Sequence, residues 1–170
     1  MRTLSRSLSL TASLVLTAGF TALAAPAAEA HGTTECGNAD LAAHYRYSDS
    51  GAGHVHGWIV LRNVSVHACA TRGFGGLSYV GDGDGTQIGA PADRDGSAVR
   101  VVLKPGHRVR SLVDETRAQN YPRKHCHRAH VDGFRVYVPD ATASQYVVHP
   151  TTGCRNDAVH LLGHRAYRRP

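Results

Sequence analysis

Hydrophobic and polar positions along the chain follow the pattern of short β-strands. Residues 134–138 alternate with a period of two, and residues 58–61 form a continuous apolar run of strand length. Further candidate strands are residues 41–47, 77–80, 99–103, 109–113, 146–148 and 159–162. No stretch of ten or more residues carries an apolar stripe at helical spacing. The pattern predicts about eight strands and no long helix.

Glycine and proline mark the turns between these strands. The sequence Lys104-Pro105-Gly106-His107 suits a type II turn, because proline fixes φ and glycine accepts a positive φ. This turn predicts a hairpin or a tight corner between two strands, and residues 89–98 are predicted to be a polar loop. Many short strands joined by such turns favour an all-β fold, an antiparallel β-sandwich.

The first thirty residues have the organisation of a signal peptide. Arg2 and Arg6 precede an uncharged apolar run, and Ala28-Glu29-Ala30 fits the small-x-small rule for cleavage. The run is too short and too rich in Ala and Thr for a good membrane span. We therefore expect residues 1–30 to be removed and residues 31–170 to be secreted as a soluble monomer without a membrane span.

Four cysteines lie beyond the predicted cleavage site. An even number of cysteines in an exported chain predicts two disulfides, and the sequence alone permits three pairings. No Cys-x-x-Cys occurs, which argues against thioredoxin-like chemistry and a thiolate zinc site.

Charge narrows the choice of partners. The chain has a formal net charge of +6, spread along its length except at residues 164–170, which are predicted to be a basic tail. Exported proteins rarely meet nucleic acid, so no nucleic-acid partner is expected. The positive charge serves solubility or attracts an anionic envelope polymer, and another exported protein is the other candidate partner.

Several short motifs occur in a recognisable order. They are Cys36 with Ala39-Asp40-Leu41, then Leu61-Arg62-Asn63-Val64-Ser65, Cys69, Gly73-Phe74, Val102-Leu103-Lys104-Pro105-Gly106, Cys126, Phe134-Arg135-Val136-Tyr137-Val138-Pro139 and Cys154. In this order they resemble an actinobacterial exported domain, the domain of unknown function 4232. Gly75 departs from the pattern, because the family usually has proline there.

The resemblance implies an immunoglobulin-like β-sandwich over residues 36–163. The segment before it, residues 31–35, is predicted from its sequence to be a flexible leader. It also implies sequential disulfides, Cys36–Cys69 and Cys126–Cys154. It implies no catalytic residue. Because no Gly-x-Ser-x-Gly or His-Glu-x-x-His motif occurs either, the chain is expected not to be an enzyme and to need no cofactor.

Twelve histidines suggest an alternative function, metal binding. His54 and His56 would share one face of a strand, and His125 and His127 flank Cys126, so zinc or copper could bind them. Cleavage after Ala30 would also leave His31 at the amino terminus, where an amine and an imidazole can chelate copper. The alternative is therefore a histidine-based zinc or copper protein, or a copper-dependent enzyme.

The principal hypothesis is a non-catalytic exported module at or outside the cell envelope. Ligands of such sandwiches usually bind at loops, so residues 73–76, 81–97 and 117–130 are candidates. The last segment is the densest basic stretch before the tail. Arg123, Lys124 and Arg128 are accordingly predicted to form a surface for an anionic ligand.

Overall fold

Eleven β-strands dominate residues 32–170, the part of the chain that the computed structural model describes. The strands are β1 (Leu41–Gly51), β2 (His54–Asn63), β3 (Cys69–Arg72), β4 (Gly76–Gly81), β5 (Thr86–Ile88), β6 (Asp93–Asp95), β7 (Arg100–Leu103), β8 (Arg108–Thr116), β9 (Arg128–Tyr137), β10 (Ser144–Cys154) and β11 (Leu162–Arg165). A 3-10 turn, Ala118–Asn120, and a short helix α1, Arg123–Cys126, lie between β8 and β9. The predicted signal peptide and His31 lie outside the described residues.

The strands form three sheets. One has five strands in the order β1-β2-β8-β11-β6, one has four in the order β10-β9-β4-β5, and β3 pairs with β7. All pairs are antiparallel except β6 with β11. Side chains from all three sheets share one hydrophobic core. The predicted all-β sandwich is therefore confirmed, with one parallel pair added at an edge.

In strand β8, the alternation of apolar and charged residues determines which side chains are buried. Val109 and Val113 are buried in the core, whereas Arg108 is exposed and Arg110 is half-buried. Successive side chains of a strand point to opposite sides, so the arginines lie on the outer surface of the five-stranded sheet. The same alternation turns Glu115 inward, where only 4% of its surface is exposed.

Asn63 ends β2 by bonding to the backbone on both sides of the turn. Its Oδ1 accepts bonds from the amide and hydroxyl of Ser65, and its Nδ2 donates to the carbonyls of His67 and Leu103. The side chain is completely buried, so these four bonds satisfy its polar atoms.

The turn at residues 104–107 is a corner between sheets and not a hairpin. Its amide–carbonyl bond joins His107 to Lys104 at 3.0 Å, and Gly106 has a φ of +79° as a type II turn requires. The preceding strand β7 pairs with β3, whereas the following strand β8 pairs with β2 and β11. The corner therefore carries the chain into the five-stranded sheet.

Both predicted disulfides are present. Cys36–Cys69 ties the segment before β1 to the start of β3, and Cys126–Cys154 ties the end of α1 to the end of β10. No cysteine among residues 32–170 is unpaired.

Several boundaries differ from the sequence-based expectations. The predicted strand at residues 159–162 begins only at Leu162; Val159 lies buried at a bend, and Leu161 lies buried in the irregular segment before the strand. The predicted polar loop 89–98 contains the short strand β6. Apolar burial does not by itself distinguish a strand from a packed turn, and a polar segment can pair at an edge.

The predicted leader and tail are both attached to the domain. Arg100 donates to the carbonyl of Thr33 and to the carboxylate of Glu35, and Glu35 forms a parallel bridge with Ala70. At the other end Tyr167 is buried, and Arg168 forms an antiparallel bridge with Arg110. Within residues 32–170, no helix has the length and apolar character needed to cross a membrane.

The glycine-rich loop between β3 and β4 is tightly packed at Gly75. A Cβ atom there would overlap the carbonyl oxygen of Tyr137. Proline, which the resembling family usually has at this position, would bring a Cβ atom against that oxygen, so the packing in this chain requires glycine.

Candidate functional site

The three basic residues predicted to form an anion-binding surface have different environments. Arg123 and Lys124 are exposed on α1. The guanidinium of Arg128, however, donates to the carbonyls of Gln119 and Tyr121, and it therefore anchors the segment before the helix. The surface formed by Arg123, Lys124 and Arg128 remains a prediction, although one of its members is engaged with the protein's own backbone.

Two of the histidines considered for metal binding are paired with aspartates, and two others lie exposed at the short helix. Nδ1 of His54 lies 2.7 Å from Asp114, and Nδ1 of His56 lies 2.7 Å from Asp49. His125 and His127 are exposed at the end of α1. No set of three His, Cys, Asp or Glu side chains within residues 32–170 is arranged to hold a metal ion, so the metal hypothesis gains no support there.

The outer surface of the five-stranded sheet brings together basic and aromatic side chains from β1, β2 and β8. Because Ile59 and Leu61 of β2 point into the core, their neighbours along the strand point outward. We call this surface the arginine face; it consists of Arg46, Trp58, Val60, Arg62, Arg108 and Arg110. Cross-strand pairing places Arg46 beside Trp58, Val60 beside Arg110 and Arg62 beside Arg108.

No carboxylate of residues 32–170 forms an ion pair with the four arginines of this face. The arginine ion pairs among residues 32–170 are Arg100–Glu35, Arg155–Asp82 and Arg165–Asp95, all elsewhere. Arg110 instead lies over the ring of Trp58, with its Cζ 4.1 Å from the ring centroid. Such a cation–π contact holds the guanidinium in place without cancelling its charge.

Arg62 and Arg108 are direct cross-strand neighbours, and like charges in that position destabilise a sheet. We expect Arg62→Thr to raise the free energy of unfolding by about 0.2–1 kcal/mol at low salt, with a smaller gain at high salt. Urea denaturation measures this. Arg72→Thr is the matched control, because Arg72 faces Arg100, whose charge Glu35 neutralises. An Arg62→Thr protein no more stable than wild type would contradict the repulsion.

A shallow depression of about 300 Å³ lies in the arginine face. Its lining consists of ring and apolar side chains together with three arginines: Arg46, Tyr47, Trp58, Val60, Arg108, Arg110 and Pro170. The aromatic ring of this lining is the indole of Trp58, because Tyr47 pairs with Gly57 and its side chain points to the opposite side of the sheet from Arg46. The depression therefore combines apolar surface with unneutralised positive charge, which is the composition of a site for an anionic ligand.

The other end of the same sheet surface is acidic. Asp49, His56, Asp114, Gly163 and Asp93 are successive cross-strand neighbours over β1, β2, β8, β11 and β6. The sheet surface is thus polarised along the strands, with arginines at one end and aspartate–histidine pairs at the other. An anion approaching this surface is directed towards the arginine face.

A second polar cluster lies between the two large sheets. The buried carboxylate of Glu115 accepts bonds from the hydroxyls of Tyr45 and Tyr79 at 2.9 and 2.6 Å, and it lies 2.8 Å from Nε2 of His149. Burial, reinforced by Glu115, raises the pKa of both tyrosines, so they remain neutral donors. Because these residues come from β8, β1, β4 and β10, the cluster joins the two sheets.

A small cleft of about 160 Å³ reaches this cluster from the solvent. His149 and Glu115 line it together with Arg117 and the hydroxyl-bearing Thr151 and Thr152. The ring of His149 is stacked on Phe134 at 4.5 Å between centroids. The carboxylate of Glu115 accepts hydrogen bonds from both tyrosines, and the imidazole of His149 is packed against Phe134. The cluster therefore has the features of a structural network that holds the two sheets together.

His164 is buried beside Ser111, with Nδ1 3.3 Å from the Ser111 Oγ. Both side chains are at least 97% buried, so a substrate cannot reach this serine–histidine pair. Burial, with a smaller contribution from Arg94, lowers the pKa of His164 from 6.5 to about 4. His164 is therefore neutral in the folded domain at neutral pH.

Acidification should destabilise the domain through His164. The unfolded chain binds a proton near pH 6.5 and the folded chain only near pH 4, so stability is lost as pH falls through this window. We expect a loss of about 2 kcal/mol between pH 7 and pH 5 from this residue. Urea denaturation should show that His164→Gln removes this part of the pH dependence, whereas the exposed His125→Gln does not. An unchanged pH dependence in His164→Gln would contradict the assignment.

Sequence reasoning missed the arginine face because residues 58–61 form an unbroken apolar run. The signal that could have revealed it was the alternation itself: Trp58, Val60 and Arg62 share a face by their spacing of two, as do Arg108 and Arg110. The glycine-rich loop and the basic segment 117–130 are predicted as binding loops instead, because each has an unusual local composition.

Comparison with known proteins identifies the family to which the chain is similar. Residues 36–163 match the family described as Domain of unknown function (DUF4232). No curated protein and no solved structure matches the chain. The match covers most of the sequence and includes all four cysteines and every strand of the arginine face, and the chain therefore belongs to the DUF4232 family.

Proposed function

We propose that the chain is an exported, non-catalytic module that binds an anionic polymer of the cell envelope through the arginine face. The observation that carries this proposal is the grouping, around the single tryptophan of the chain, of four arginines that have no carboxylate partner within residues 32–170. Arginine and aromatic side chains are the residues enriched in binding surfaces, and guanidinium forks match carboxylate and phosphate groups.

Two further observations support the other parts of the proposal. Two disulfides and no free cysteine among residues 32–170 suit an oxidising compartment, in agreement with the signal peptide predicted from the sequence. The serine–histidine pair at Ser111 and His164 is sealed in the core, which favours a binding role over catalysis.

The test compares two variants that lose the same charge. One replaces Arg46, Arg62, Arg108 and Arg110 with serine; the matched control replaces the exposed residues Arg72, Arg117, Arg123 and Lys124. If each exposed ion pair contributes about 0.5 kcal/mol, the first variant should bind labelled polygalacturonate about 30-fold more weakly than wild type. The control should lose less than threefold.

The two variants also decide between the arginine face and the basic segment predicted from the sequence. Equal losses in both would show that only net charge matters, and a larger loss in the control would assign binding to the segment around Arg123. Fluorescence anisotropy at 50 and 150 mM salt measures the affinities, and urea denaturation checks that both variants are folded.

A further inference from the structure

The arginine face differs from a simple basic patch because its centre is a depression lined by rings. Trp58 and Pro170 contribute ring surfaces, and Val60 contributes a small side chain. Arg46, Arg108 and Arg110 line the same depression. A ligand that consisted of charge alone would use the guanidinium groups and leave the ring surfaces unoccupied.

We infer that the ligand is an acidic polysaccharide, with one sugar ring seated in this depression and its carboxylate bound by the arginines. This inference rests on the proposed function and specifies its ligand. The flat C–H face of a pyranose ring packs on aromatic side chains, while its hydroxyl and carboxylate groups extend to the rim. Guanidinium groups bind carboxylates through two parallel hydrogen bonds.

The size and shape of the depression agree with a single ring. A volume of about 300 Å³ is at the lower end of small-molecule sites. The depression lies on a sheet surface and not in a closed cavity, so a polymer can continue beyond it along the strands. Arg62 is the direct cross-strand neighbour of Arg108, where it can contact the next acidic group of an extended chain.

The contact between Arg110 and Trp58 gives the site a fixed geometry. With its Cζ 4.1 Å from the ring centroid, the guanidinium is held against one side of the indole. A side chain that is already ordered loses less conformational entropy when it binds a ligand. Arg110 is therefore the arginine that we expect to contact the carboxylate of the seated sugar, with Arg46 on the opposite side of Trp58.

The test compares two carboxylate polymers that differ in having a sugar ring: polygalacturonate and poly-L-glutamate at equal concentration of carboxylate and equal ionic strength. Labelled-polymer anisotropy with the wild-type chain should give an affinity for polygalacturonate about tenfold higher. Trp58→Ala should reduce this preference to less than twofold while retaining binding of poly-L-glutamate. Trp58→Leu, which keeps an apolar side chain but removes the ring, should reduce the preference in the same way.

The outcomes separate the inference from the proposed function. Equal affinity of the wild-type chain for the two polymers, or an unchanged preference in both Trp58→Ala and Trp58→Leu, would overturn the sugar-ring inference and leave the anionic-polymer function standing. Failure of both polymers to bind would overturn both. If Trp58→Ala does not fold, Trp58→Leu and the wild-type comparison decide the question.

Discussion

Glu115→Ala is expected to lower the free energy of unfolding by about 3–5 kcal/mol. The carboxylate of Glu115 is the common partner of Tyr45, Tyr79 and His149 between the two large sheets. Alanine would leave the buried hydroxyl of Tyr79, the half-buried hydroxyl of Tyr45 and a packed imidazole without their partner, and it would open a cavity beside them. Urea denaturation at pH 7 measures the loss.

Two further variants show whether burial causes this effect. Glu35→Ala removes an exposed carboxylate that pairs with Arg100 and should cost no more than about 1 kcal/mol. Glu115→Gln keeps the shape and one acceptor, so its loss should lie between the other two. A Glu115→Ala protein as stable as Glu35→Ala would show that the cluster does not hold the sheets together.

Removal of the Cys126–Cys154 disulfide should have an effect of similar size. The double variant Cys126→Ala/Cys154→Ala releases a link between residues 28 positions apart, and the chain-entropy relation assigns such a link roughly 3–4 kcal/mol. Both half-cystines are buried, so packing is lost as well. Thermal and urea denaturation of the double variant and of wild type measure the difference.

Cys36–Cys69 provides the comparison, because it spans a similar separation of 33 residues. Its removal should cost nearly the same, since the relation depends only weakly on loop length. Reduction of the wild-type chain should approach the sum of the two losses. If reduction leaves the denaturation midpoint unchanged, the disulfides do not contribute to the stability of the domain.

The sequence was sufficient to predict the class of fold, because that property depends on local patterns. Alternation over residues 134–138, apolar runs of strand length and the turn at Pro105-Gly106 each act within a few residues. The disulfide pairing is different: the spacing of the cysteines left three possibilities, and only the family resemblance selected the pairing that the structure contains.

The arginine face could not be predicted in the same way, because it depends on the register between strands. Arg62 and Arg108 are 46 positions apart in the chain and become neighbours only through the pairing of β2 with β8. Glu115 and His149 likewise meet only when the two sheets pack together. The alternation of residues along β8 can be read from the sequence, and it places the carboxylate of Glu115 on the inward face. The hydroxyls of Tyr45 and Tyr79, which donate hydrogen bonds to this carboxylate, lie on other strands.

The most direct test of the account is a map of amide chemical-shift changes in the folded chain on titration with polygalacturonate. Binding at the arginine face predicts that the largest changes fall in residues 58–62 of β2 and 108–112 of β8, together with the indole N–H of Trp58. These changes should disappear in the variant that lacks Arg46, Arg62, Arg108 and Arg110. Changes concentrated in residues 117–130, or on the outer surface of β9 and β10, would contradict the assignment of the binding surface.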